Sequence, residues 1–278
     1  MVKVWKLKSF SGKAGIEFIF EANSFDAGSQ ELPAGVYTTF RTYNHNRVLR
    51  LHEHFDRLVE SAKLQEVIVL LNQGAVRAGL QEIVTTFSGV DSRIRIHWSL
   101  QQPAPIVYLM AEKFNSIPEE MYLNGVAAQI IYRSRENPLS KATSFINETN
   151  ELRAAKAFDV HEYLLVGKTG EILEGMTSNV FCIRKEILYT ASSGILMGIT
   201  RQLVLEAVSS LSIQIVYQGF NVKEIDEVDE VFITSASRGV LPVTVVDRKI
   251  IGLGKPGKLT QRIGSEFTKR LEKELAAI

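Results

Sequence analysis

The chain has 278 residues, 45% of them hydrophobic, and its 32 basic and 31 acidic side chains leave a net charge of +1. This length allows one large or two modest domains, and the balanced charge gives no broad field for nucleic acid or an anionic membrane. A single cysteine, Cys182, excludes an internal disulfide framework. With no long apolar run and no charged-then-apolar leader, we expect a soluble, cytoplasmic protein without a membrane span.

The first half alternates strand-like and helix-like patterns. The run Gly35–Tyr43 is rich in β-branched and aromatic residues and predicts a strand. From Leu51 the apolar residues recur at the spacing of a helix, which predicts a first helix there. A second helix is predicted over Val67–Thr86. The apolar face of the first helix comprises Phe55, Leu58, Val59 and Ala62.

A strictly alternating strand is predicted over Ser92–Leu100, with Arg93, Arg95 and His97 on one face and Ile94, Ile96 and Trp98 on the other. The segment Glu112–Asn124 is polar, contains a proline and shows no clear period, which is typical of a domain junction. We therefore expect a smaller α/β domain over residues 1–116, a linker over 117–124 and a larger domain over 125–278.

The second half is predicted to begin with a strand over Val126–Tyr132 and a helix near Asn147–Phe158. A hairpin over Glu162–Val166 and Ile172–Ile183 turns at residues 168–171. The chain ends in a helix, because apolar residues recur every fourth position from Leu259. The mixture of strands and helices along the chain predicts an α+β (mixed α/β) fold with two domains.

Two motifs invite functional interpretations that their context does not support. The run Gly252–Gly257 matches GxGxxG, but the chain ends before the second strand of a dinucleotide fold, and Lys258 is not followed by Ser or Thr as in a P-loop. A glycine-rich turn before the last helix is the better interpretation. The five histidines show no metal-ligand spacing, so no metal site is predicted, and Cys182 lies in a buried-strand pattern typical of an inert core thiol.

A few residues could carry chemistry. Lys141 is flanked by Ser and Thr, and Glu174 precedes a glycine and a turn of small residues. The tripeptide Gly198–Thr200 leads into a helix whose first amides could face an anion. Arg57 lies on a helix, and Arg93 and Arg95 share one strand face. Each of these alone has an ordinary structural explanation.

Taken in order, these segments resemble the class IV aminotransferases, the fold-type IV enzymes that use pyridoxal 5′-phosphate (PLP). The group includes branched-chain and D-amino acid aminotransferases and aminodeoxychorismate lyase. The resemblance runs from about Gly35 to Leu271. Its motifs are GVY at 35–37, HFDRL at 54–58, EGMTSNVF at 174–181, ILY at 187–189, LMGITR at 196–201, EVFITS at 230–235 and LPV at 241–243.

The resemblance implies roles for individual residues. Lys141 stands where relatives carry the Schiff-base lysine, Glu174 matches the glutamate that pairs with the pyridine nitrogen, and Arg57 matches the arginine that binds the phosphate. Further cofactor contacts are implied for Ser178 and Asn179, for Gly198, Ile199 and Thr200, and for the turn Ser235, Ala236 and Ser237. Ala236 stands where many relatives have Thr, and Ile146 where some have a tyrosine.

The substrate is less well defined. Tyr37 matches a position that lines the pocket of D-amino acid aminotransferases, but the Arg-x-His pair of those enzymes is missing after His97. Branched-chain enzymes tend to have Tyr-x-Arg where this chain has Arg93-Ile-Arg95. We hypothesise that Arg93, Arg95 or both bind a carboxylate, helped by Arg238; a solvent-facing stripe is the alternative.

The resemblance implies a PLP-dependent transaminase that moves an amino group from an amino acid of either hand to a 2-keto acid such as 2-oxoglutarate by a ping-pong mechanism. It also implies a homodimer. Two alternatives stay open: aminodeoxychorismate lyase, which uses the same lysine for β-elimination, and a PLP-binding protein without turnover.

Overall fold

The computed structural model describes residues 1–10, 13–87, 89–101, 104–135, 137–155, 157 and 159–278. It divides into a first unit (Met1–Asn115, Ser140–Ala154 and Glu274–Ile278) and a second unit (Ser116–Leu139 and Ala155–Lys273). Both contain helices and strands, in agreement with the predicted α+β class. The predicted boundaries differ in two respects: residues 117–124 contain a helix of the second unit, and residues 140–154 group with the first.

The elements up to Asn115 are β1 (Val2–Phe10), β2 (Lys13–Ala22), α1 (Phe25–Gln30), β3 (Gly35–Arg41), β4 (Arg47–Leu49), α2 (Leu51–Lys63), α3 (Gln73–Thr86), β5 (Ser92–Ser99) and β6 (Ile106–Lys113). The middle of the chain forms α4 (Glu119–Asn124), β7 (Val126–Tyr132), α5 (Ser144–Glu148) and α6 (Asn150–Ala154). The rest forms β8 (Glu162–Val166), β9 (Ile172–Gly175), β10 (Ser178–Arg184), β11 (Ile187–Tyr189), α7 (Ile199–Ser210), β12 (Ile215–Val216), a 3₁₀ helix (Val222–Glu227), β13 (Glu230–Ser235), β14 (Gly239–Val246), β15 (Lys249–Ile250), α8 (Lys258–Glu274) and β16 (Leu275–Ala277).

The first unit is built on a five-stranded antiparallel sheet in the order β2-β1-β6-β5-β3. The apolar face predicted for β5 is buried with residues of α2 and α3, among them Phe55, Leu58 and Leu80. The opposite face of β5 is buried as well: Arg95 and His97 are almost fully inaccessible. Alternation alone therefore did not distinguish a solvated polar face from a covered one.

The second unit contains a sheet in the order β12-β11-β10-β13-β14-β7-β8-β9. Because β9 also pairs with β10, six of these strands close into a ring. Strand β7 runs parallel to β8 and β14. Apolar residues from several strands form the core, including Leu164, Val180, Ile233 and Leu241. Within the described ranges, no helix is long and apolar enough to cross a membrane.

Three predicted elements are corrected by the structure. The second helix begins at Gln73, because the side chain of Asn72 accepts a hydrogen bond from the Ala75 amide (3.0 Å) and the preceding β-branched run disfavours helix. The helix predicted near Asn147–Phe158 is two short helices, with Phe158 outside the described residues. The hydroxyl of Thr149 donates to the Phe145 carbonyl (2.7 Å) at the end of the first. The long second arm of the hairpin is two strands joined by the turn Met176–Thr177.

Other predictions are confirmed. Strands Val126–Tyr132 and Glu162–Val166 have the predicted bounds, and the glycine-rich run Gly252–Gly257 is a loop before α8. The first amides of α8 are already bonded, since Glu230 accepts hydrogen bonds from Leu259 (3.1 Å) and Thr260 (2.7 Å). Cys182 is buried, which raises the pKa of its thiol to about 12.

Candidate functional site

The predicted functional residues divide between the two units. Those in the first are Tyr37, Arg57, Arg93, Arg95 and Lys141. Those in the second are Glu174, Ser178, Asn179, Gly198, Ile199, Thr200, Ser235, Ala236, Ser237 and Arg238.

Lys141 lies on a backbone segment fixed along the start of β3. The Tyr37 amide donates to the Lys141 carbonyl (2.9 Å), and the Thr143 amide donates to the Gly35 carbonyl (2.9 Å). The Lys141 amide in turn donates to the hydroxyl of Ser61 on α2 (3.1 Å). Its Nζ lies 4.9 Å from the centroid of the Tyr37 ring. The lysine is therefore held from both α2 and β3, with its amine over an aromatic face.

Arg57 is a partly buried cation on α2. Burial lowers the pKa of its guanidinium to about 10, partly offset by the carboxylates of Glu53 and Glu60, so the group is charged at neutral pH. One turn earlier, buried His54 shares a 2.7 Å hydrogen bond with the Thr38 hydroxyl. Burial and the charges of Arg57 and Lys141 hold the pKa of His54 well below its ordinary value, so this imidazole is neutral at neutral pH.

The sheet face that carries Tyr37 also carries both arginines of β5. Arg95 donates to the Asp26 carboxylate (2.9 Å), the Ser29 hydroxyl (2.9 Å) and the Phe25 carbonyl (3.0 Å), all on α1. Its guanidinium carbon lies 4.4 Å from the Tyr37 ring centroid. These contacts fit a structural role for Arg95 better than substrate binding. The side chain of Arg93 is 38% exposed and lies 3.4 Å from the Glu112 carboxylate.

Glu174 is a buried carboxylate on β9. One oxygen accepts a hydrogen bond from the Leu196 amide (2.9 Å), and the other lies 3.4 Å from the guanidinium of Arg135. The side chain of Asn179, opposite Glu174 in the β9–β10 pair, donates to the Leu196 carbonyl (2.7 Å). The amide and the carbonyl of Leu196, two residues before Gly198, are thus both held by hydrogen bonds.

The helix α7 has an open N-terminus. Gly198 is its N-cap, in extended conformation, and no side chain among the described residues caps it. A Cβ at Gly198 would collide with Oδ1 of Asn179, so the position accepts only glycine without rearrangement. Thr200 is buried in the first turn, and Arg201 donates to the Ala191 carbonyl (2.8 Å). Amides without a hydrogen-bond partner at a helix N-terminus form a site suited to an anion.

The predicted phosphate turn and Ser178 meet a charged network. Strand β13 ends at Ser235, and residues 236–238 turn into β14. Arg238 does not point to solvent: it donates to the buried Glu162 carboxylate (2.7 Å) and to the Thr177 hydroxyl (2.9 Å). Ser178 also donates to Glu162 (3.0 Å). The substrate role predicted for Arg238 is therefore not supported by its contacts.

Sequence reasoning missed three residues of these groups. Arg135, beside Glu174, has no spacing signal. Glu162 was visible as an acid heading the apolar strand EYLLV, a position where a buried carboxylate needs a partner. Thr177 was seen only as part of a turn. No cluster of potential metal ligands occurs in the part of the chain that the structure describes.

Comparisons with known proteins give a consistent result. The family model described as amino-transferase class IV matches residues 35–246. The chain is 29% identical to a probable branched-chain-amino-acid aminotransferase of Thermotoga maritima (87% of this chain, 88% of the relative). It is 28% identical to the D-alanine aminotransferase of Bacillus licheniformis (87% and 89%).

Solved structures agree. A putative branched-chain amino acid aminotransferase of Thermotoga maritima has a TM-score of 0.78 at 25% identity, with 98% of this chain and 96% of that chain covered. A hypothetical aminotransferase of Mycobacterium tuberculosis in its PLP-bound form has a TM-score of 0.77 at 18% identity, with 98% and 99% covered, a likeness of fold.

Proposed function

This chain belongs to the class IV aminotransferases, and from that premise we propose that it transfers an amino group from an amino acid, D or L, to a 2-keto acid such as 2-oxoglutarate, through a PLP held by Lys141. The enzyme class is a transaminase and the cofactor of the family is PLP. The observation that carries the residue assignments is the uncapped N-terminus of α7, joined through the Leu196 backbone to the buried carboxylate of Glu174.

The residues present fit a phosphorylated pyridine. The amides of Ile199 and Thr200 with the Thr200 hydroxyl suit a phosphate, and Arg57 supplies a guanidinium that stays charged at neutral pH. The hydroxyl of Thr234, before the predicted phosphate turn, is buried with no hydrogen-bond partner in the described part of the chain. Ser235 and Ser237 provide two hydroxyls at that turn, where Ala236 can provide only its backbone.

The proposed chemistry assigns each residue one task. Bound PLP supplies an electron-withdrawing ring that lets an amino acid lose its Cα proton. Lys141 would hold the cofactor through its Nζ, and, once the amine of the substrate has displaced it, the same Nζ would take that proton. Glu174 keeps the ring nitrogen protonated through its carboxylate, which the Leu196 amide orients. Ser178 and Asn179 pair with Gly175 and Glu174 in the adjacent strand, so they would hold the strand that carries this carboxylate.

For the substrate, we propose that Tyr37 lines the pocket and that Arg93, whose side chain is the more exposed of the pair, binds a carboxylate. Arg95 would then support Tyr37 from behind. Steady-state kinetics of Arg93→Ala with an acidic and an aliphatic amino donor tests this assignment. We expect a selective fall in kcat/KM for the acidic donor; unchanged values for both Arg93→Ala and Arg95→Ala would exclude the arginine hypothesis.

The reaction itself is tested by product analysis. The protein, loaded with PLP, is incubated with single D- or L-amino acids and 2-oxoglutarate, and the glutamate formed is measured. Parallel double-reciprocal lines are expected for two substrates that use one site in turn. Pyruvate release from aminodeoxychorismate without a keto acid would instead identify the lyase, and bound PLP with no product would identify a binding protein.

We also propose that two copies of the chain associate, as implied by the resemblance to this family. Light scattering on the PLP-loaded protein should give twice the chain mass. A single-chain mass together with full transaminase activity would contradict the proposal.

A further inference from the structure

A buried ion pair in the second unit joins two turns that carry proposed cofactor contacts. Glu162, the first residue of β8, is 3% exposed. Its carboxylate accepts hydrogen bonds from the amide of Tyr163 (3.0 Å), the hydroxyls of Thr177 (2.6 Å) and Ser178 (3.0 Å), and the guanidinium of Arg238 (2.7 Å). Such a buried carboxylate is stable only when its charge and its lone pairs are matched in this way.

The Thr177 hydroxyl completes the connection. It donates to Glu162 and accepts from the second amino group of Arg238 (2.9 Å), so one hydroxyl uses both of its hydrogen-bonding capacities within the pair. Thr177 belongs to the turn between Glu174 and Asn179, and Arg238 belongs to the turn that follows Ser235. The Arg238 amide closes that second turn on the Ser235 carbonyl (3.2 Å).

We propose that Arg238 and Glu162 are positioning residues that fix the turn 235–238, and hence the Ser235 and Ser237 hydroxyls, for the phosphate of the cofactor. The inference rests on the proposed function and replaces the substrate role first predicted for Arg238. Both amino groups of its guanidinium face partners within the protein, and the Tyr122 hydroxyl donates to the Arg238 carbonyl (2.7 Å), so side chain and backbone are both anchored.

The test compares PLP with pyridoxal, which lacks the phosphate, in titrations of the cofactor-free protein. Arg238→Met removes the donors at similar length, and Arg238→Lys keeps one cation. We expect Arg238→Met to bind PLP about tenfold more weakly, the loss of roughly one charged hydrogen bond, with pyridoxal affinity unchanged within about twofold. Arg238→Lys should recover most of the PLP affinity. The matched control is Arg184→Met, which breaks an exposed ion pair with Glu224 in the same unit and should change neither affinity.

Equal losses for PLP and pyridoxal in Arg238→Met, or no loss for either, would overturn the positioning role. If that variant does not fold, Thr177→Val, which removes only the shared hydroxyl, takes its place. Its affinities for PLP and pyridoxal are compared in the same way. If the wild-type protein binds no PLP, the proposed function fails and the inference with it. If the wild type binds PLP and the variants bind it equally well, only the inference fails.

Discussion

His97 is a buried imidazole whose protonation the fold opposes. Its Nε2 lies 2.9 Å from the Pro33 carbonyl and therefore carries the proton, while Nδ1 is buried with no hydrogen-bond partner among the described residues. A second proton would place an unsatisfied N–H in the interior beside Arg95. Burial accordingly lowers the pKa of His97 to about 4, against an ordinary value of 6.5.

This shift predicts a pH dependence of stability. The native state favours neutral His97, so its contribution is complete above pH 6.5 and is lost as the pH falls from 6.5 towards 4, where the unfolded chain binds the proton first. Between pH 7 and pH 5 the free energy of unfolding should fall by about 2 kcal/mol because of this residue. In urea unfolding, the free energy of unfolding of His97→Gln, which keeps a donor for the Pro33 carbonyl, should fall less over this pH range than that of the wild type. Exposed His45→Gln is the control and should behave as the wild type; equal losses in all three proteins would contradict the interpretation.

At the scale of single elements, the N-terminus of α7 depends on Gly198 having no side chain. Its φ of −67° suits any residue, so Gly198→Ala causes no backbone strain; the added Cβ instead displaces Asn179 and weakens its hydrogen bond to the Leu196 carbonyl. We expect PLP affinity to fall about tenfold while the fold is retained. Gly264→Ala on α8, where the nearest atom to a new Cβ is 3.9 Å away, is the matched control. Equal PLP affinity in both variants would remove Gly198 from the cofactor site.

Helix α1 depends on Arg95. Its side chain is 5% exposed, and its guanidinium donates hydrogen bonds to three groups of that six-residue helix, including the Asp26 carboxylate. Arg95→Ala therefore leaves all three groups without their donor. We expect a loss of about 3 kcal/mol in the free energy of unfolding. Arg93→Ala, which removes a partly exposed ion pair at 3.4 Å, should cost less than about 1 kcal/mol. Similar small losses for both, seen by urea unfolding, would show that Arg95 is not the anchor of α1.

At the scale of the whole molecule, local patterns predicted most elements. The amphipathic helices α2 and α8 follow from periodicity, because each has one clear buried face. The strand Glu162–Val166 is buried on both faces and follows instead from its short apolar run before a turn. The apolar pattern did not predict the split near Thr149, because apolar spacing gives no signal for a side-chain hydrogen bond to the carbonyl four residues earlier. Nor could it predict that residues 140–154 group with the first unit, which depends on pairing with β3.

Sequence reasoning reached the candidate site only through the resemblance, and its residue assignments stay predictions. The order of the family motifs pointed to Lys141, Glu174 and Arg57, and to the turn before α7. What each arginine does was not predictable, because it depends on acids distant in sequence. Asp26 engages Arg95 from 69 positions away, and Glu162 engages Arg238 from 76. A guanidinium bound in this way is part of the scaffold, whereas in sequence it is indistinguishable from one that awaits a substrate.

The most direct test of the central claim, that Lys141 holds the cofactor of a transaminase, is the visible spectrum of the purified protein with PLP, before and after addition of single D- or L-amino acids. We predict a yellow wild-type protein that bleaches with donors of one hand and regains its colour with a 2-keto acid, and a Lys141→Ala variant that does neither. A wild-type protein that stays colourless with PLP, or a Lys141→Ala variant with the same response as the wild type, would contradict the account.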